Sequence, residues 1–489
     1  MKRRHFLAAA AAATCSVALS RRARAQSSSN APLFLSIEAN NAWDTTTTVD
    51  PVGLPEFSPY RDADIRSFGG LRVAPNPHRA DGSWQVRRIA ADGTTTTADF
   101  FATWGSFLRV VNGVDHRTVS HDIGPRHAFS GSLREGFPTL GALVAAVQGP
   151  DRPLAFLSTG GFDDTQGIVT VTRTGRQAVL RELARPNSSN GAVDGPALLP
   201  PTLDTLVQSA LAARDARRGQ QLSTRRALAG AVRSHESLVA ARSSERDFLT
   251  LAGVLDATPS TNDRNALIAA TGLVLAAMRT DPASCTSAHL SFGNFDTHVD
   301  HDDPADGHAV RMLGLLEGIG HLIDEVENNP AHAALRDRGV FVYVSSDFGR
   351  TAYNGGEDEG TRGKDHWPVT SSLLIGLGAM RSQVGGGTVI GRTSATVDGR
   401  VQPGMRAHPW RIDGNGNLVN AATSTASGSG LFTLTSTEVQ FALRRALRLD
   451  QEVPAPGGRR LVDRFALPEV EPRFVAALEG GHNPLLKDA

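Results

Sequence analysis

At 489 residues, with 50 Lys and Arg against 50 Asp and Glu, the chain has no formal net charge at pH 7 and lacks the basic excess that marks a nucleic-acid binder. Its two cysteines, Cys15 and Cys285, exclude a disulfide-stapled scaffold. Stability must come from a packed core, with or without a metal, in one large α/β domain or two smaller ones.

The amino terminus carries Lys2-Arg3-Arg4-His5-Phe6-Leu7, then an Ala-rich, weakly apolar run from Leu7 to Leu19, then Ala23-Arg24-Ala25 before Gln26. This resembles a twin-arginine export leader over residues 1–25. The apolar run is too short for a membrane anchor, since a spanning helix needs roughly 20 residues. The expectation is a folded protein carried by the twin-arginine translocase to the periplasm or outside the cell, with no stable membrane span after cleavage. The leader takes Lys2, Arg3, Arg4, Arg21, Arg22 and Arg24 with it and no acid, so the mature chain, residues 26–489, is mildly acidic. It keeps only Cys285 as a thiol.

Leu33 to Ile37 is a short apolar run, read as a buried first strand ending in Asn40-Asn41-Ala42-Trp43-Asp44. Short strands and loops follow from Arg66 to Gly149, with a helix near Leu140–Val147. Leu154–Ser158 reads as a strand opening into Gly160-Gly161. The Pro-, Asn-, Ser- and Gly-rich stretch from Pro186 to Pro201 is a linker. Beyond it Leu203, Leu206, Val207, Ala210 and Leu211, then Leu228, Val232, Leu238 and Val239, recur at helical spacing. They predict a mostly helical insert over about 202–282.

The sheet resumes at Ala288–Phe292. A helix follows on Val310, Leu313, Leu316, Ile319, Ile323 and Val326, and Gly339–Val344 and Leu373–Ile375 are further strands. This order predicts α/β architecture with a largely parallel central sheet flanked by helices. Asp413-Gly414-Asn415-Gly416-Asn417 imitates a calcium loop but lacks its turn Gly and closing Glu, so a hairpin is expected. Thr435-Ser436-Thr437-Glu438 is a capping box opening a last helix. His308 and His321 fall on the amphipathic helix as packing or surface residues.

The chemistry gathers at strand ends. Asp296 and His298 are two apart, so an extended backbone turns both to one side, where they can share a cation. Asp347 ends a strand buried on both faces, where a carboxylate is costly without a compensating partner. Asp365-His366 is read as lying in the polar loop that runs from Asn354 to Lys364. Carboxylate and imidazole at successive strand ends suit a divalent cation and ester hydrolysis.

Asn41-Ala42-Trp43-Asp44-Thr45, Phe295-Asp296-Thr297-His298, Asp347-Phe348-Gly349-Arg350-Thr351 and Asp365-His366-Trp367 together resemble the signature blocks of the bacterial family called domain of unknown function 1501. That family is similar to the alkaline phosphatase and sulfatase superfamily. The resemblance implies a single alkaline-phosphatase-like domain. It also implies metal ligation by Asp44, Asp296, His298, Asp347 and His366, with Asp365 as ligand or support. Phe348 stands where phosphatases usually place a metal-binding His. Both one ion and two therefore remain open, among zinc, manganese, magnesium and calcium. Arg350 would hold a substrate oxyanion or serve as a buried bridge. Thr45 is a nucleophile candidate, and Ser120, His121, His127 and Ser130 are weaker candidates for nucleophile or ligand. The expected function is an exported metal-dependent hydrolase of small-molecule or polymeric phosphate or sulfate esters. The alternative is a non-catalytic exported metal-binding protein of the same fold with a structural or surface-assembly role.

Overall fold

The computed structural model describes residues 31–486 except 75–96, 151, 153, 174–180, 183–184, 225–234, 236–238, 240–264, 281–282, 304–305, 355–361, 414–416, 453–458, 481–482 and 484. The leader, most of the insert's second helical stretch and much of the Asn354–Lys364 stretch lie outside the described residues.

In chain order the strands are β1 Leu33–Ala39, β2 Arg66–Phe68, β3 Leu71–Val73, β4 Leu108–Asp115, β5 Phe156–Ser158, β6 Val171–Arg173, β7 Ser287–Phe292 and β8 Val340–Ser346, then β9 Gly349–Asn354, β10 Gly363–Trp367, β11 Val369–Leu377, β12 Thr388–Ile390, β13 Thr393–Val397, β14 Arg400–Ala407, β15 Trp410–Ile412 and β16 Leu418–Asn420. The central sheet has the order β12-β4-β11-β8-β1-β7-β5-β6. Its pairings are parallel except those of β11, which runs antiparallel to both β4 and β8. The expected mixed α/β fold with a mostly parallel sheet is therefore present.

Every residue of β1 and β8 is buried, as expected where helices cover both faces of a parallel sheet. Alternation then sorts the side chains. Leu33, Leu35, Ile37, Val340, Val342 and Val344 face one core with the helices Ala266–Met278 and His308–Asn328. Phe34, Phe341 and Tyr343 face another with the helices Leu140–Gln148 and Ser436–Ala446. Each fully buried aliphatic or aromatic side chain contributes about 1.5–3 kcal/mol, so these two layers hold the sheet rigid beneath its edge. The expected capping box forms, with Thr435 and Glu438 bonded reciprocally. Asp413 N–H donates to Asn417 O between antiparallel β15 and β16, which makes the expected hairpin. Among the described residues no helix is long and apolar enough to cross a membrane.

Asp365 and His366 lie on β10, which pairs antiparallel with β9 in a small sheet of order β10-β9-β14-β13, and not in a loop. The polar, Gly-rich composition hid a strand that survives by pairing locally rather than by burying an apolar face.

Candidate metal centre

The parallel strands β1, β4, β7 and β8 all end at one edge of the central sheet, and antiparallel β11 starts there. This topology delivers five segments to one place: Asn40–Asp44 after β1, His116–His121 after β4, Phe295–His301 after β7, Asp347 after β8, and Lys364–His366 just before β11. The carboxyl edge of a parallel sheet is the usual place for a functional site.

Three imidazoles and a carboxylate converge there. His121 Nε2 is 3.1 Å from His366 Nε2, and His298 Nε2 is 2.9 Å from that same atom. Asp296 Oδ1 lies 3.1 Å from His298 Nε2 and 3.5 Å from His366 Nε2, and Asp296 Oδ2 lies 4.0 Å from His121 Nε2. Around a tetrahedral ion with zinc–nitrogen bonds of ~2.0–2.1 Å, neighbouring ligand atoms sit ~3.3–3.4 Å apart. The separations made by His366 Nε2 and Asp296 lie near that value, and two sets of three residues could each hold an ion, His121–Asp296–His366 and His298–Asp365–His366.

Outer contacts settle which nitrogens face the centre. His121 Nδ1 is 2.5 Å from Asp347 Oδ2 and His366 Nδ1 is 3.1 Å from Val119 O, and both oxygens can only accept. Both rings therefore carry a proton on Nδ1 and turn bare Nε2 lone pairs toward one another, an arrangement that repels unless a proton or a cation lies between. Histidine backed by a carboxylate or a carbonyl is the usual support of a metal ligand. The Asp347 hydrogen bond raises the pKa of His121, whereas burial, with Arg350 and the neighbouring histidines, lowers that of His366. Burial alone would raise the Asp296 carboxyl, but Arg350 outweighs it and holds the group below its ordinary range. The centre faces solvent, since the His298 side chain is 44% exposed and that of Asp365 59%.

The other expected residues take distinct positions. Asp365 Oδ1 is 3.6 Å from His298 Nδ1, at the rim. Asp347 stands behind His121 and is further held by the Ala42 N–H and by Ser346 Oγ at 2.8 Å. Asp44 turns away from the convergent nitrogens. Its Oδ2 accepts from Lys364 Nζ at 2.5 Å, and its Oδ1 accepts from Thr46 N at 3.0 Å and Thr46 Oγ1 at 2.6 Å. Burial pushes this carboxyl up, yet Lys364 and His301 bring it well below the carboxylate range.

Arg350 is a buried clamp. Its donors reach Ala42 O (2.8 Å), Asn41 O (2.8 Å), Phe295 O (2.9 Å), Lys364 O (3.1 Å) and Asp296 Oδ1 (2.7 Å). Thr45 accepts from Ser371 Oγ at 3.3 Å, Ser120 Oγ accepts from Asp122 N, and Ser130 Oγ donates to Arg126 O. His127 is buried with Nδ1 at 2.8 Å from His116 O, and burial lowers its pKa to about 4.

Sequence reasoning missed three supports. Lys364 neutralises Asp44. His308 Nε2 accepts the Asp44 N–H at 2.6 Å, and His301 Nε2 lies 3.2 Å from Asp44 Oδ2. The signal for Lys364 was its place beside Asp365-His366. The two histidines follow Asp296 closely, but only the loop geometry turns them inward. Asn41 and Ala42 adopt φ of 68° and 67°, a left-handed conformation that costs a non-glycine residue roughly 1–2 kcal/mol. The Asp347, His308 and Arg350 bonds hold that turn in place.

The family described as "Protein of unknown function (DUF1501)" matches residues 42–408, a span containing every side chain of the centre. No curated protein and no solved structure matches the chain.

Proposed function

The chain belongs to the DUF1501 family of proteins of unknown function, and from that premise we propose that it is an exported metal-dependent hydrolase of phosphate or sulfate esters, similar in plan to alkaline phosphatases and sulfatases. The observation that carries this reading is the convergence of His121, His298 and His366 Nε2 with Asp296 at the carboxyl edge of the sheet. His366 and Asp296, with His121 or His298, would hold a divalent ion. When bound, such an ion polarises an ester oxygen and makes a coordinated water acidic.

The chain's own groups supply the rest. Asp347 and Val119 O fix the tautomers of His121 and His366, so the donor atoms are set before any substrate arrives. Asp365, exposed beside His298, is positioned to accept a proton from an attacking water. The candidate nucleophiles are all hydrogen-bonded, Thr45 and Ser120 as acceptors from Ser371 Oγ and Asp122 N and Ser130 as donor to Arg126 O. That favours direct attack by water over a covalent intermediate. The exposed rim suits a bulky or polymeric ester.

The test is a panel of chromogenic phosphate monoesters, diesters and sulfate esters assayed with added zinc or manganese. We expect turnover that falls at least ~100-fold in His366→Ala, with little loss of thermal stability. The engagement of Arg350 by four carbonyls favours the rival reading, a structural cation in a non-catalytic protein. Under that reading no ester turns over and His366→Ala lowers only the melting temperature.

A further inference from the structure

We infer that this edge holds a single exchangeable divalent ion of the nitrogen-preferring kind, and that the Lys364 ammonium, locked onto Asp44, stands permanently in place of a second. The inference rests on the metal-centre reading and specifies its count and class.

Three observations carry it. The first is at Asp44, where the end of β1 brings a second buried carboxylate to the edge. A buried carboxylate needs a compensating charge, and Lys364 provides it from within the chain. The Lys364 side chain is 0% exposed, and its Nζ donates to Asp44 Oδ2 at 2.5 Å, to Phe57 O and, at 3.4 Å, toward Thr46 Oγ1. It also lies 4.7 Å from the centre of the Tyr353 ring, within cation–π range. With Thr46 N and Oγ1 on Oδ1, Lys364 on Oδ2 and His301 Nε2 3.2 Å from Oδ2, both oxygens of the Asp44 carboxylate are already engaged.

The second observation is at His366. Two overlapping sets of ligand atoms exist, His121–Asp296–His366 and His298–Asp365–His366. They share one imidazole whose Nδ1 is engaged by Val119 O. A single Nε2 lone pair serves a single ion, so the two sets cannot be filled together.

The third is Phe348. Its ring centre is 4.9 Å from that of His121 and 4.6 Å from that of His366. It closes that flank of the imidazoles with carbon, where a second ion would need a donor. Three imidazoles with one carboxylate favour zinc and its neighbours over magnesium and calcium, which take oxygen ligands.

The experiment is elemental analysis of the protein after saturation with zinc and removal of the excess, with magnesium and calcium as competitors. One zinc per chain is expected, not displaced by a hundredfold excess of either competitor. Two zincs per chain, or displacement by magnesium, would overturn this inference and leave the metal-dependent reading intact, whereas no retained zinc would sink both. The double variant Asp44→Asn with Lys364→Met removes the buried pair without stranding a charge. It should retain one zinc with Kd within about threefold of wild type. A folded double variant that loses its zinc would overturn the inference, because Asp44 would then be a ligand. Should it not fold, the wild-type count still decides.

Discussion

At the scale of single residues, the roles separate by which atoms are already engaged. Asp347 illustrates this, because its carboxylate can only accept from His121 Nδ1 and thereby directs the His121 Nε2 lone pair outward. Asp347→Asn offers an amide donor in its place and favours the opposite tautomer. Zinc affinity should fall about 10–100-fold while the protein stays folded, as titration calorimetry alongside circular dichroism would report. Unchanged affinity would mean that His121 is not a ligand. Asp50 gives a second test, in a buried carboxyl outside the convergent set. Burial raises its pKa to about 6, partly opposed by the Thr393 hydroxyl at 2.6 Å. The folded state therefore binds this proton more tightly than the unfolded chain does. The associated stability is present below the unfolded pKa near 4 and is lost as pH rises to about 6. Asp50→Asn should flatten that window and make the protein more stable at pH 8 by about 1–3 kcal/mol, measured by urea denaturation across pH. A variant that keeps the wild-type pH dependence would refute this.

The sequence revealed residue type and position near the strand ends, so Asp296, His298, Asp347, Asp365 and His366 were all legible as candidates, and the sheet edge brings them close together. It did not reveal orientation. Asp44 and Arg350 carry the right chemistry, but one meets Lys364 and the other meets the carbonyls of the loops after β1 and β7. His121 was only a weak candidate because nothing local marks the loop after β4 as reaching Asp347.

At the scale of elements, the centre depends on how closely backbones approach. A Cβ at Gly363 on β10 would stand 1.7 Å from His298 O, and one at Gly124 would stand 2.6 Å from Asp347 O. Glycine at each position lets its segment press directly on a residue of the centre. Gly363→Ala should force β10 and the His298 loop apart, destabilising the protein by about 1–3 kcal/mol and weakening zinc binding at least tenfold. Thermal unfolding and metal titration would read the two effects, and wild-type values for both would show that the contact is dispensable. Strands β1 and β8 were legible because burial between two helical layers demands largely apolar runs, and β11 through its apolar stretch Leu373–Ile375. Strand β10 was not, since its stability comes from pairing with β9 and its composition is that of a loop. The antiparallel direction of β11 was equally hidden, because a buried central strand reads the same in either direction.

At the scale of the whole molecule, the fold is a rigid sheet whose edge gathers side chains from segments hundreds of residues apart. His121, Asp296 and His366 meet only because β4, β7 and β11 are held in one sheet by the two apolar cores. That explains how a partly exposed cluster keeps a defined geometry. The most direct test is crystallography of the zinc-loaded protein with data collected on both sides of the zinc absorption edge. The account predicts one anomalous peak bonded to His366 Nε2 and Asp296, with Nε2 of His121 or His298 completing the set. A peak bonded to Asp44 instead, or no peak at this edge in zinc-soaked crystals, would contradict it.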